Sequence, residues 1–554
     1  SDSPSPHPFF VGDALYVMPR VAAPAASCQV VEPRTGKLLD QFSLGVIGSC
    51  TRLTVTPSQF FYRPGGGEGR TVYVDLATRT LAEYEGIVRP GCFDGVVPAY
   101  GRLYWMPLAC DCWQVHGTFS MAPRAPVLER RTPPPAPAPW SAPRSEQAAA
   151  KGDWPMFRAN AAGTATVAAN VPRNARMLWE RRVPGGTLTA PTSANGRVYV
   201  GGVDGTVTAL SQANGELLWQ VSTQAAVNFP PAYWNGRVVF GSCDGVLYCV
   251  DAMDGRILGK RELAPEKRFV NIMDRLVSAW PLGGGVVLDE KGVVFAAAGS
   301  TAADGTVVAA LDAAIGRLRW RQTYSLDRKD PMLSFGVQAN ILLDGDTLFV
   351  NGGAPVGIVA LDATTGASPR VAAKLEAGME MFLEPDGNPI CRGPELYGHV
   401  AARTTIFKRH QGRAYFPLAD RRVALVDGRL FCARDAKTLD LIVDLMNQDP
   451  NTGGRLTTEP RDVMQVPLND AILWAGKSAD VCGLAVATDG VIALCGDRVE
   501  AISPEGELWW TVPLPAAPVR WGLALSNKAC HVTLRDGRVL CLGSTSATGG
   551  KPGS

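Results

Sequence analysis

One short phrase recurs along the chain and constrains its fold more than any other feature. Four full copies, one shortened copy and one copy near the N-terminus follow the same spacing of apolar residues, glycine and tryptophan: ALSQANGELLW (209–219), CVDAMDGRILG (249–259), ALDAAIGRLRW (310–320), ALDATTGASPR (360–370), AISPEGELWW (501–510) and VVEPRTGKLLD (30–40). Repeats with periods of roughly 40–50 residues are typical of propellers and solenoids.

The residues around each copy predict three strands and two tight turns. Residues 197–200 alternate apolar and polar side chains as a half-buried strand does, and residues 207–210 form a second apolar run. Asp-Gly and Asn-Gly pairs such as Asp204-Gly205 and Asn214-Gly215 supply the positive φ angles of hairpin turns. We therefore expect an all-β fold, a single large β-propeller of four-stranded antiparallel blades. Counting copies favours eight blades, closed by N-terminal and C-terminal strands, although seven, nine or ten also fit.

The frame A-L-D-x-x-T-G-x-x-x-W resembles the repeat of the pyrroloquinoline-quinone-like (quinoprotein alcohol dehydrogenase-like) β-propeller superfamily. The central copies are similar to those of its outer-membrane assembly lipoproteins. The resemblance implies that each tryptophan docks on a neighbouring blade. Trp219, Trp320 and either Trp509 or Trp510 match this role, and three copies depart from it, at Gly259, Arg370 and Asp40. Residues 153–158 (DWPMFR) also resemble the W-P-x-F-R segment that often precedes such blades.

Composition divides the chain into four parts. We expect propeller blades in residues 1–123, a Pro/Ala-rich insertion or linker in 124–152, the remaining blades in 153–545 and a disordered tail in 546–554. The strand at Met177–Glu180 is expected to complete the blade left unfinished at Met121, with a boundary between two domains as the alternative. We also expect the start of the chain to share a blade with its end.

Charge and hydropathy exclude some functions. A net charge of +2 argues against a nucleic-acid partner, which usually requires a basic excess. No apolar run reaches the ~18 residues that a transmembrane helix needs. Since the chain begins at Ser1 without a methionine, we expect a processed, exported product located in the periplasm or outside the cell.

Thirteen cysteines fit an oxidising compartment. The disulfide candidates are the four that cluster near the N-terminus, namely Cys50, Cys92, Cys110 and Cys112. Free buried thiols and a zinc site with His116 are the alternatives, although the C-x-C spacing of Cys110 and Cys112 fits zinc poorly. Weaker candidates for bridges are Cys482 with Cys495 and Cys530 with Cys541.

Three insertions that precede the first strands of successive repeats are the candidate functional loops. Their ligand-binding candidates are Arg268, Arg275, Trp280, Gln338, Asn340 and Arg392. Arginines hold carboxylates or sulfates, and an indole stacks on a sugar ring, so the set suits an acidic carbohydrate. The catalytic candidates are His399, Tyr397 and Glu395, as base and acid. The alternative is that these residues join the insertions to the ring through buried hydrogen bonds.

Cofactor chemistry has little support in the sequence. Quinone-dependent members of the superfamily carry adjacent cysteines above a calcium site, and this sequence contains no Cys-Cys pair. We predict no quinone and no transition-metal site. Calcium is a candidate ligand for the loop with Asn447, Asp449 and Asn451, but Gly453 and Glu459 lie one position later than an EF-hand requires.

The sequence favours a binding or scaffold module at the cell envelope, with a protein or carbohydrate partner. The first alternative is a secreted lyase or hydrolase that acts on acidic polysaccharide through the three loops. The second alternative is a quinone-dependent dehydrogenase. The positions of the insertions are needed to distinguish these three functions, because the repeat itself specifies a fold and not a reaction.

Overall fold

The computed structural model describes residues 8–18, 26–45, 53–64, 71–84, 95–106, 108–110, 113–115, 119–121, 138–272, 275–299, 305–324, 336–337, 340–351, 358–367, 370–373, 380–383, 389–392, 414–418, 421–426, 429–433, 472–478, 480–526 and 529–544. Across these ranges the chain is all-β and contains no helix. Four-stranded antiparallel sheets dominate, as the repeat predicted.

The N-terminal part forms two four-stranded sheets, one three-stranded sheet and one hairpin. The first sheet comprises β1 (Phe9–Val11), β2 (Ala14–Val17), β3 (Ala26–Val31) and β4 (Leu38–Gly45), and the second comprises β5 (Thr54–Val55), β6 (Gln59–Tyr62), β7 (Thr71–Asp75) and β8 (Leu81–Tyr84). The third comprises β9 (Val96–Ala99), β10 (Arg102–Trp105) and β13 (Phe119–Met121), with the hairpin of β11 (Leu108–Cys110) and β12 (Trp113–Val115) between them.

Seven further four-stranded sheets, which we call central sheets one to seven, follow from residue 176 onward within the described ranges. The outer strand of central sheet seven comes first in the chain, as β14 (Arg176–Arg182). Sheet one is β15 (Thr192–Ala194), β16 (Arg197–Gly201), β17 (Thr206–Ser211) and β18 (Leu217–Ser222); sheet two is β19 (Ala232–Trp234), β20 (Arg237–Gly241), β21 (Val246–Asp251) and β22 (Ile257–Glu262). A hairpin, β23 (Phe269–Ile272) and β24 (Arg275–Ser278), separates sheet two from sheet three, which is β25 (Val286–Leu288), β26 (Val293–Ala298), β27 (Thr306–Asp312) and β28 (Leu318–Tyr324).

Sheets four to seven continue this order. Sheet four is β29 (Leu342–Asp344), β30 (Thr347–Asn351), β31 (Ile358–Asp362) and β32 (Arg370–Ala373), followed by the hairpin β33 (Glu380–Leu383) and β34 (Pro389–Arg392). Sheet five is β35 (Ala414–Leu418), β36 (Arg421–Val426), β37 (Arg429–Ala433) and β38 (Ile472–Ala475); sheet six is β39 (Gly483–Val486), β40 (Val491–Leu494), β41 (Arg498–Ile502) and β42 (Leu508–Pro513). The last strands are β43 (Pro518–Ser526), β44 (Ala529–Leu534) and β45 (Arg538–Gly543).

Sheet seven joins the end of the chain to residues 176–182. Its order is β14-β45-β44-β43, and the register runs from Arg176 opposite Gly543 to Arg182 opposite Arg538. The sequence expectation that Met177–Glu180 completes a blade at Met121 is therefore wrong, because β13 pairs with β10 instead. The expectation that the first strands share a sheet with the last is also wrong, since β1 to β4 pair only with one another in the described residues.

The core lies between successive sheets. The innermost strands are neighbours in space, with β43 beside β39 and β15, and β19 beside β15 and β25. Every residue of β20, β26 and β44 is buried, whereas outer strands such as β18 expose alternate residues. Burial of the sheets on both faces explains why these strands lack the alternation of apolar and polar residues that a half-exposed strand shows.

Tryptophans on the outer strands tie neighbouring sheets together. The Nε1 atoms of Trp219 and Trp320 donate to the carbonyls of Ala252 and Ala363 in the following sheet, at 3.0 and 2.9 Å. Of the two C-terminal candidates Trp510 docks, donating to the Pro172 carbonyl at 2.7 Å. Trp179 and Trp474 do the same toward Gln212 and Pro504. The docking that the resemblance implied is confirmed for Trp219, Trp320 and Trp510.

Two of the three copies that lack the tryptophan use a different contact. Asp40 replaces it in β4, and Arg79, which occupies the glycine position of the next sheet at φ 60°, donates from Nε to the Asp40 carboxylate at 2.9 Å. Gly259 replaces it in β22, and the indole of Trp140 fills the space. The Arg370 side chain lies outside the described atoms.

All eight cysteines described with their side chains are free thiols: Cys28, Cys243, Cys249, Cys432, Cys482, Cys495, Cys530 and Cys541. The two weaker disulfide predictions are therefore wrong. In β44 and β45 the register places His531, not Cys530, opposite Cys541. Cys50, Cys92 and Cys112, and the side chain of Cys110, lie outside the described part.

Candidate functional site

Residues 138–152, which we call the strap, lie along the rim of central sheets three and two. The Trp140 amide donates to the Ile315 carbonyl at 2.8 Å, and Ser141 donates to Leu258 at 2.9 Å. Further along, Arg237, only 3% exposed in its side chain, pairs with Glu146 at 2.9 Å. The Pro/Ala-rich segment is thus docked on the sheets along its described half, although it joins no strand ladder.

Residues 153–171, which we call the plug, run across the innermost strands. Trp154 exchanges two 2.8 Å backbone hydrogen bonds with Ser193 of β15, and the Pro155 carbonyl accepts from Tyr233 of β19 at 2.7 Å. Farther along, the plug accepts from Leu343 of β29 and pairs with Val486 of β39. The plug therefore contacts sheets one, two, four and six. It lies at the end of these sheets where the innermost strands finish, and we call this end the plugged face.

Phe157 and Arg158 of the plug are held by aromatic contacts. The guanidinium of Arg158 lies 4.8 Å from the Phe157 ring centroid and 5.3 Å from that of Trp521, and the residue is 1% exposed. Phe157 meets Phe229 edge-on at 6.3 Å. Cation–aromatic contacts of this kind favour a buried guanidinium. Arg158 and the next residue, Ala159, adopt φ angles of 53° and 72°, a left-handed region that non-glycine residues rarely occupy.

A cavity of about 270 Å³ lies on the other side of Phe157, where the innermost strands begin. We call this end the open face. The walls are the segments that lead into β15 and β19 together with the first residues of β43. The lining residues are Phe157, Thr187, Leu188, Thr189, Ala190, Val203, Val227, Asn228, Phe229, Pro230, Val519, Arg520 and Trp521. Among these described lining residues Arg520 alone carries a charge, and it is exposed at the rim.

A β-bulge in β43 shapes one wall of this cavity. The pairing with β44 shifts between Pro518 and Leu523, so the residues between them leave the ladder. Trp521 adopts φ 57°, an outlier for an aromatic residue, and its amide donates to the Cys482 carbonyl at 3.0 Å. Bulges re-aim side chains and are frequent beside functional sites.

The polar groups beside the cavity are hydrogen-bonded within the protein or unreactive. The Thr189 hydroxyl donates to the Ala190 carbonyl and accepts from the Gly201 amide, both at 2.9 Å. Asn228 contacts the Cys243 sulfur at 3.2 Å, and burial raises the pKa of that thiol to about 12. A thiol with such a pKa stays protonated at neutral pH and is a poor nucleophile. Cys243 therefore offers no reactive thiolate beside the described cavity at neutral pH.

Four of the predicted ligand-binding residues have described side chains, and the structure does not gather them into one cleft. The Arg268 guanidinium lies 4.7 Å from the Trp280 ring centroid, and Trp280 is only 6% exposed. Arg275, on the hairpin of β23 and β24, donates to the Val203 carbonyl beside the open-face cavity. Asn340 is buried at a small space next to Phe157, apart from both. For these four residues ligand binding remains a prediction.

The other predicted site residues fall largely outside the described atoms. Arg392 ends β34 but its side chain is not described, and Gln338, Glu395, Tyr397 and His399 lie outside the described ranges, as does the 444–459 loop proposed for calcium. Sequence reasoning missed Arg520 and Trp521. The available signal was a proline and a glycine, Pro518 and Gly522, that bracket an aromatic residue inside an otherwise regular strand.

Across the described ranges, no group of three or more His, Cys, Asp or Glu side chains is placed to hold a metal ion. The sequence has no adjacent cysteines either. The described part of the chain also contains no helix able to cross a membrane.

A second concavity of about 1250 Å³ lies on the plugged face. It is lined by parts of the strap and the plug together with turns of sheets two, three and four, including Trp234, Asp289, Lys291 and Arg319. Its charged groups are of both signs, so its lining selects no particular ligand charge.

Part of the chain matches a known protein family. Residues 113–368, a little under half of the chain, match the family described as outer membrane protein assembly factor BamB. This match confirms the resemblance to quinoprotein-like propeller repeats in that range. No curated protein matches the chain.

Solved structures with a similar arrangement share little sequence with the chain. Quinohemoprotein alcohol dehydrogenase ADHIIG from Pseudomonas putida HK5 is 13% identical over 73% of this chain and 82% of its own, with a TM-score of 0.48. The quinohemoprotein alcohol dehydrogenase from Comamonas testosteroni is 15% identical over 72% and 82%, with a TM-score of 0.47. BamB from Moraxella catarrhalis is 11% identical over 68% and 99%, with a TM-score of 0.31. Similarity at this level says nothing about activity.

Proposed function

We propose that the chain is a quinoprotein-like β-propeller that acts as a binding or scaffold module, with its open face as the binding surface and without a bound quinone. The match of residues 113–368 to a family described as an assembly factor carries this proposal. Propellers present loops on a rigid frame, so binding through one face needs no catalytic group.

The two faces differ in their concavities. That of the plugged face is larger, about 1250 Å³, and is lined by charged groups of both signs. That of the open face, about 270 Å³, includes Phe157 of the plug, and Arg520, exposed at its rim, is the one charged residue among its described lining residues. A partner that approaches the open face meets a preformed concavity, which lowers the ordering cost of association.

A protein partner is favoured over a carbohydrate by the described residues. Stacking on a sugar would require an accessible indole face, but the Trp280 ring is buried under Arg268. The lyase or hydrolase alternative therefore gains no support here. We place the partner at the cell envelope because the matching family is described as an outer membrane protein assembly factor.

Site-specific photo-crosslinking in native cells tests the proposal. A benzoylphenylalanine at position 520 reports on the open face, and one at position 217, exposed on β18, is the matched control. We expect an ultraviolet-dependent adduct of defined mass from position 520, recovered in the envelope fraction, and none from position 217. Equal adducts at both positions, or dye reduction that requires added quinone and calcium, would contradict the proposal.

A further inference from the structure

We propose that the first N-terminal sheet, β1 to β4, is a docking surface for an extended segment of a partner protein that carries a tryptophan. The ring of this tryptophan packs on Gly36, and its Nε1 donates to the carbonyl of Pro33. This inference goes beyond the proposed function, because it concerns the N-terminal sheets and does not depend on binding at the open face.

The turn between β3 and β4 has the same backbone as the turns on which tryptophans dock in the central sheets. The Glu32 amide donates to the Lys37 carbonyl and the Gly36 amide donates to the Glu32 carbonyl, both at 2.8 Å. In central sheet one, the turn of residues 211–216 makes the corresponding two bonds, also at 2.8 Å. Gly36 has a φ angle of 70° and Gly215, at the same place in its turn, has one of 71°.

In the central sheets such a turn is filled by an indole. We call the glycine and the carbonyl three residues before it a tryptophan socket. A Cβ atom built on Gly255 would lie 2.8 Å from Cδ2 of Trp219, and the Nε1 atom of the same indole donates to the Ala252 carbonyl at 3.0 Å. The same two contacts are made by Trp179 with Gly215 and Gln212 and by Trp320 with Gly366 and Ala363. A socket therefore provides a flat surface without a Cβ atom and one hydrogen-bond acceptor.

The socket at Gly36 holds no side chain of the described residues. No described heavy atom lies within 4 Å of a Cβ atom built on Gly36, and residues 33–39 are all exposed. Among the described residues no group donates to the Pro33 carbonyl. Apart from Trp113, whose side chain is not described, every tryptophan of the sequence lies farther than 4 Å from this position. The contact surface and the acceptor are thus both open to a partner.

The sheet face beside this socket is apolar and exposed. Asp40 contacts Arg79 of the second sheet, as a docking residue contacts the sheet that follows it, so the Gly36 socket belongs to the opposite face. That face also carries Phe10 and Leu15, which pair across β1 and β2, whereas Tyr16 packs toward the second sheet. Phe10 is 63% exposed, although the innermost strands β15 and β39 of the central sheets are buried throughout. Exposed apolar surface of this kind marks interaction sites.

The strap shows that a segment outside any sheet can place an indole on such a glycine. Trp140 lies on Gly316, where a Cβ atom would be 2.3 Å from its Cε2, and its amide donates to the Ile315 carbonyl at 2.8 Å. Residues 138–141, which include this tryptophan, form no strand. An extended segment with one tryptophan is therefore sufficient, and a complete sheet is not required. Tryptophan is also among the residues most enriched at the centres of protein interfaces.

The partner is a different protein rather than a second copy of this chain. The docking tryptophans of the central sheets and Trp140 are engaged within their own chain. A second copy would have to open one of its own junctions to fill the Gly36 socket. A protein with an unengaged tryptophan gains the burial of the indole without that loss.

A selection from random dodecapeptides displayed on phage tests the inference. The library is applied to the immobilised full chain, and peptides that also bind Gly36→Ala are removed, since the added Cβ atom occupies the place of the indole. We expect the remaining peptides to share a tryptophan. Synthetic versions should bind Gly36→Ala about tenfold more weakly, as loss of a buried interface anchor implies. They should also slow the hydrogen exchange of residues 33–39 in the unaltered chain.

Gly45→Ala is the matched control. Gly45 ends β4, has a φ angle of 67° and has equally open space at its Cβ position, so alanine strains the backbone there as it does at Gly36. The peptides should bind Gly45→Ala like the unaltered chain. Replacing the tryptophan of a peptide with phenylalanine should weaken binding about two- to tenfold, as the loss of one hydrogen bond implies. Circular dichroism melts verify that each variant is folded.

Phe10→Ser is a second variant, which leaves the turn intact and should also weaken binding. No enrichment, enriched peptides without tryptophan, or equal binding to Gly36→Ala and Gly45→Ala would overturn the inference. Light scattering that shows a dimer which Gly36→Ala dissociates would overturn it too, because a second copy would then fill the socket. Crosslinking from position 520 does not involve this socket, so its outcome tests the proposed function separately.

Discussion

Trp140 of the strap fills the space above Gly259 of β22. A Cβ atom built on Gly259 would lie 1.8 Å from Cδ1 of Trp140, and one built on Gly316 of the next sheet would lie 2.3 Å from its Cε2. The other described outer-strand tryptophans that dock are supplied by the strand itself. Here the indole comes from a residue 119 positions earlier in the chain, and it fills the space by packing, since its Nε1 has no hydrogen-bond partner among the described residues. The strap is therefore part of the packing between sheets.

Moving the tryptophan from position 140 to position 259 should preserve part of the packing between the two sheets. Trp140→Ala should destabilise the chain by about 3–5 kcal/mol, the usual cost of truncating a buried tryptophan. Gly259→Trp alone should also destabilise, because both indoles need the same space. The double variant should regain part of the loss, since the new side chain sits where the repeat normally places one. Thermal unfolding midpoints measure this coupling.

A double variant no more stable than Trp140→Ala would show that Gly259 is not an empty tryptophan position. Ser141→Ala, at the neighbouring strap residue, is the control and should change the midpoint little, because Ser141 is exposed and pairs through its backbone amide.

The Asp40–Arg79 pair should be replaceable by the standard contact. Arg79→Gly removes the ion pair with Asp40 and the contacts of the guanidinium with the Tyr16 and Phe42 rings, each worth at most about 1 kcal/mol at a partly exposed site. It also relieves a left-handed backbone that costs about 1–2 kcal/mol, so its net effect should be small. Adding Asp40→Trp should stabilise the two N-terminal sheets by about 1.5–3 kcal/mol through burial of the indole. Hydrogen exchange of the β7 amides reports this locally. Faster exchange in the double variant than in the unaltered chain would contradict the equivalence.

These two junctions show how far the sequence specifies the fold. Turn pairs, alternating strands and the tryptophan frame are local, and they predicted the four-stranded sheets and the docking of Trp219, Trp320 and Trp510. The contacts of Gly259 and Asp40 are not local in this sense. Gly259 contacts a residue distant in sequence, and Asp40 contacts a residue that replaces the glycine of the repeat, so the periodicity of the sequence indicates neither contact. β14 was assigned to the wrong sheet for the same reason, because its partner β45 lies far from it in the sequence.

Backbone strain at Trp521 can be measured by comparing two truncations. Trp521→Ala and Trp521→Gly remove the same ring, so their difference reports the backbone alone. At φ 57° the glycine variant should be more stable than the alanine variant by about 1 kcal/mol. In ordinary strand geometry the order would reverse, with glycine less stable by about 0.5–1 kcal/mol. Thermal midpoints of the two variants decide between these outcomes.

His531 should make the chain sensitive to acid. Complete burial lowers the pKa of His531 to about 3 from an ordinary value of 6.5. Between these values the unfolded chain binds a proton that the folded chain does not, so stability falls as pH decreases below about 6.5. The loss should reach about 2 kcal/mol at pH 5. His531→Phe should make the pH dependence of the urea midpoint shallower between pH 6 and 4.

Thr533→Val, in the same strand, is the control for this experiment and carries no titrating group. It should keep the pH dependence of the unaltered chain. If His531→Phe and the unaltered chain respond equally to pH, the histidine is not buried in its neutral form.

The candidate site was less predictable than the fold. Its cavity is made where the plug, three connecting segments and a bulge meet, and these are separated by up to several hundred residues. The sequence identified the hairpin with Arg268 and Arg275 as unusual, and Arg275 does reach the cavity wall at Val203. It gave no reason to choose Arg520, because a bulge shows in the sequence only as a glycine and a proline.

The most direct test of the architecture is a bridge between β14 and β45. Arg182 lies opposite Arg538 in the register, so Arg182→Cys with Arg538→Cys should form a disulfide that mass spectrometry maps in the oxidised, folded chain. Met121→Cys with Met177→Cys, which tests the alternative pairing, should not. A mapped bridge between positions 121 and 177 and none between 182 and 538 would contradict a propeller whose last sheet is completed by residues 176–182.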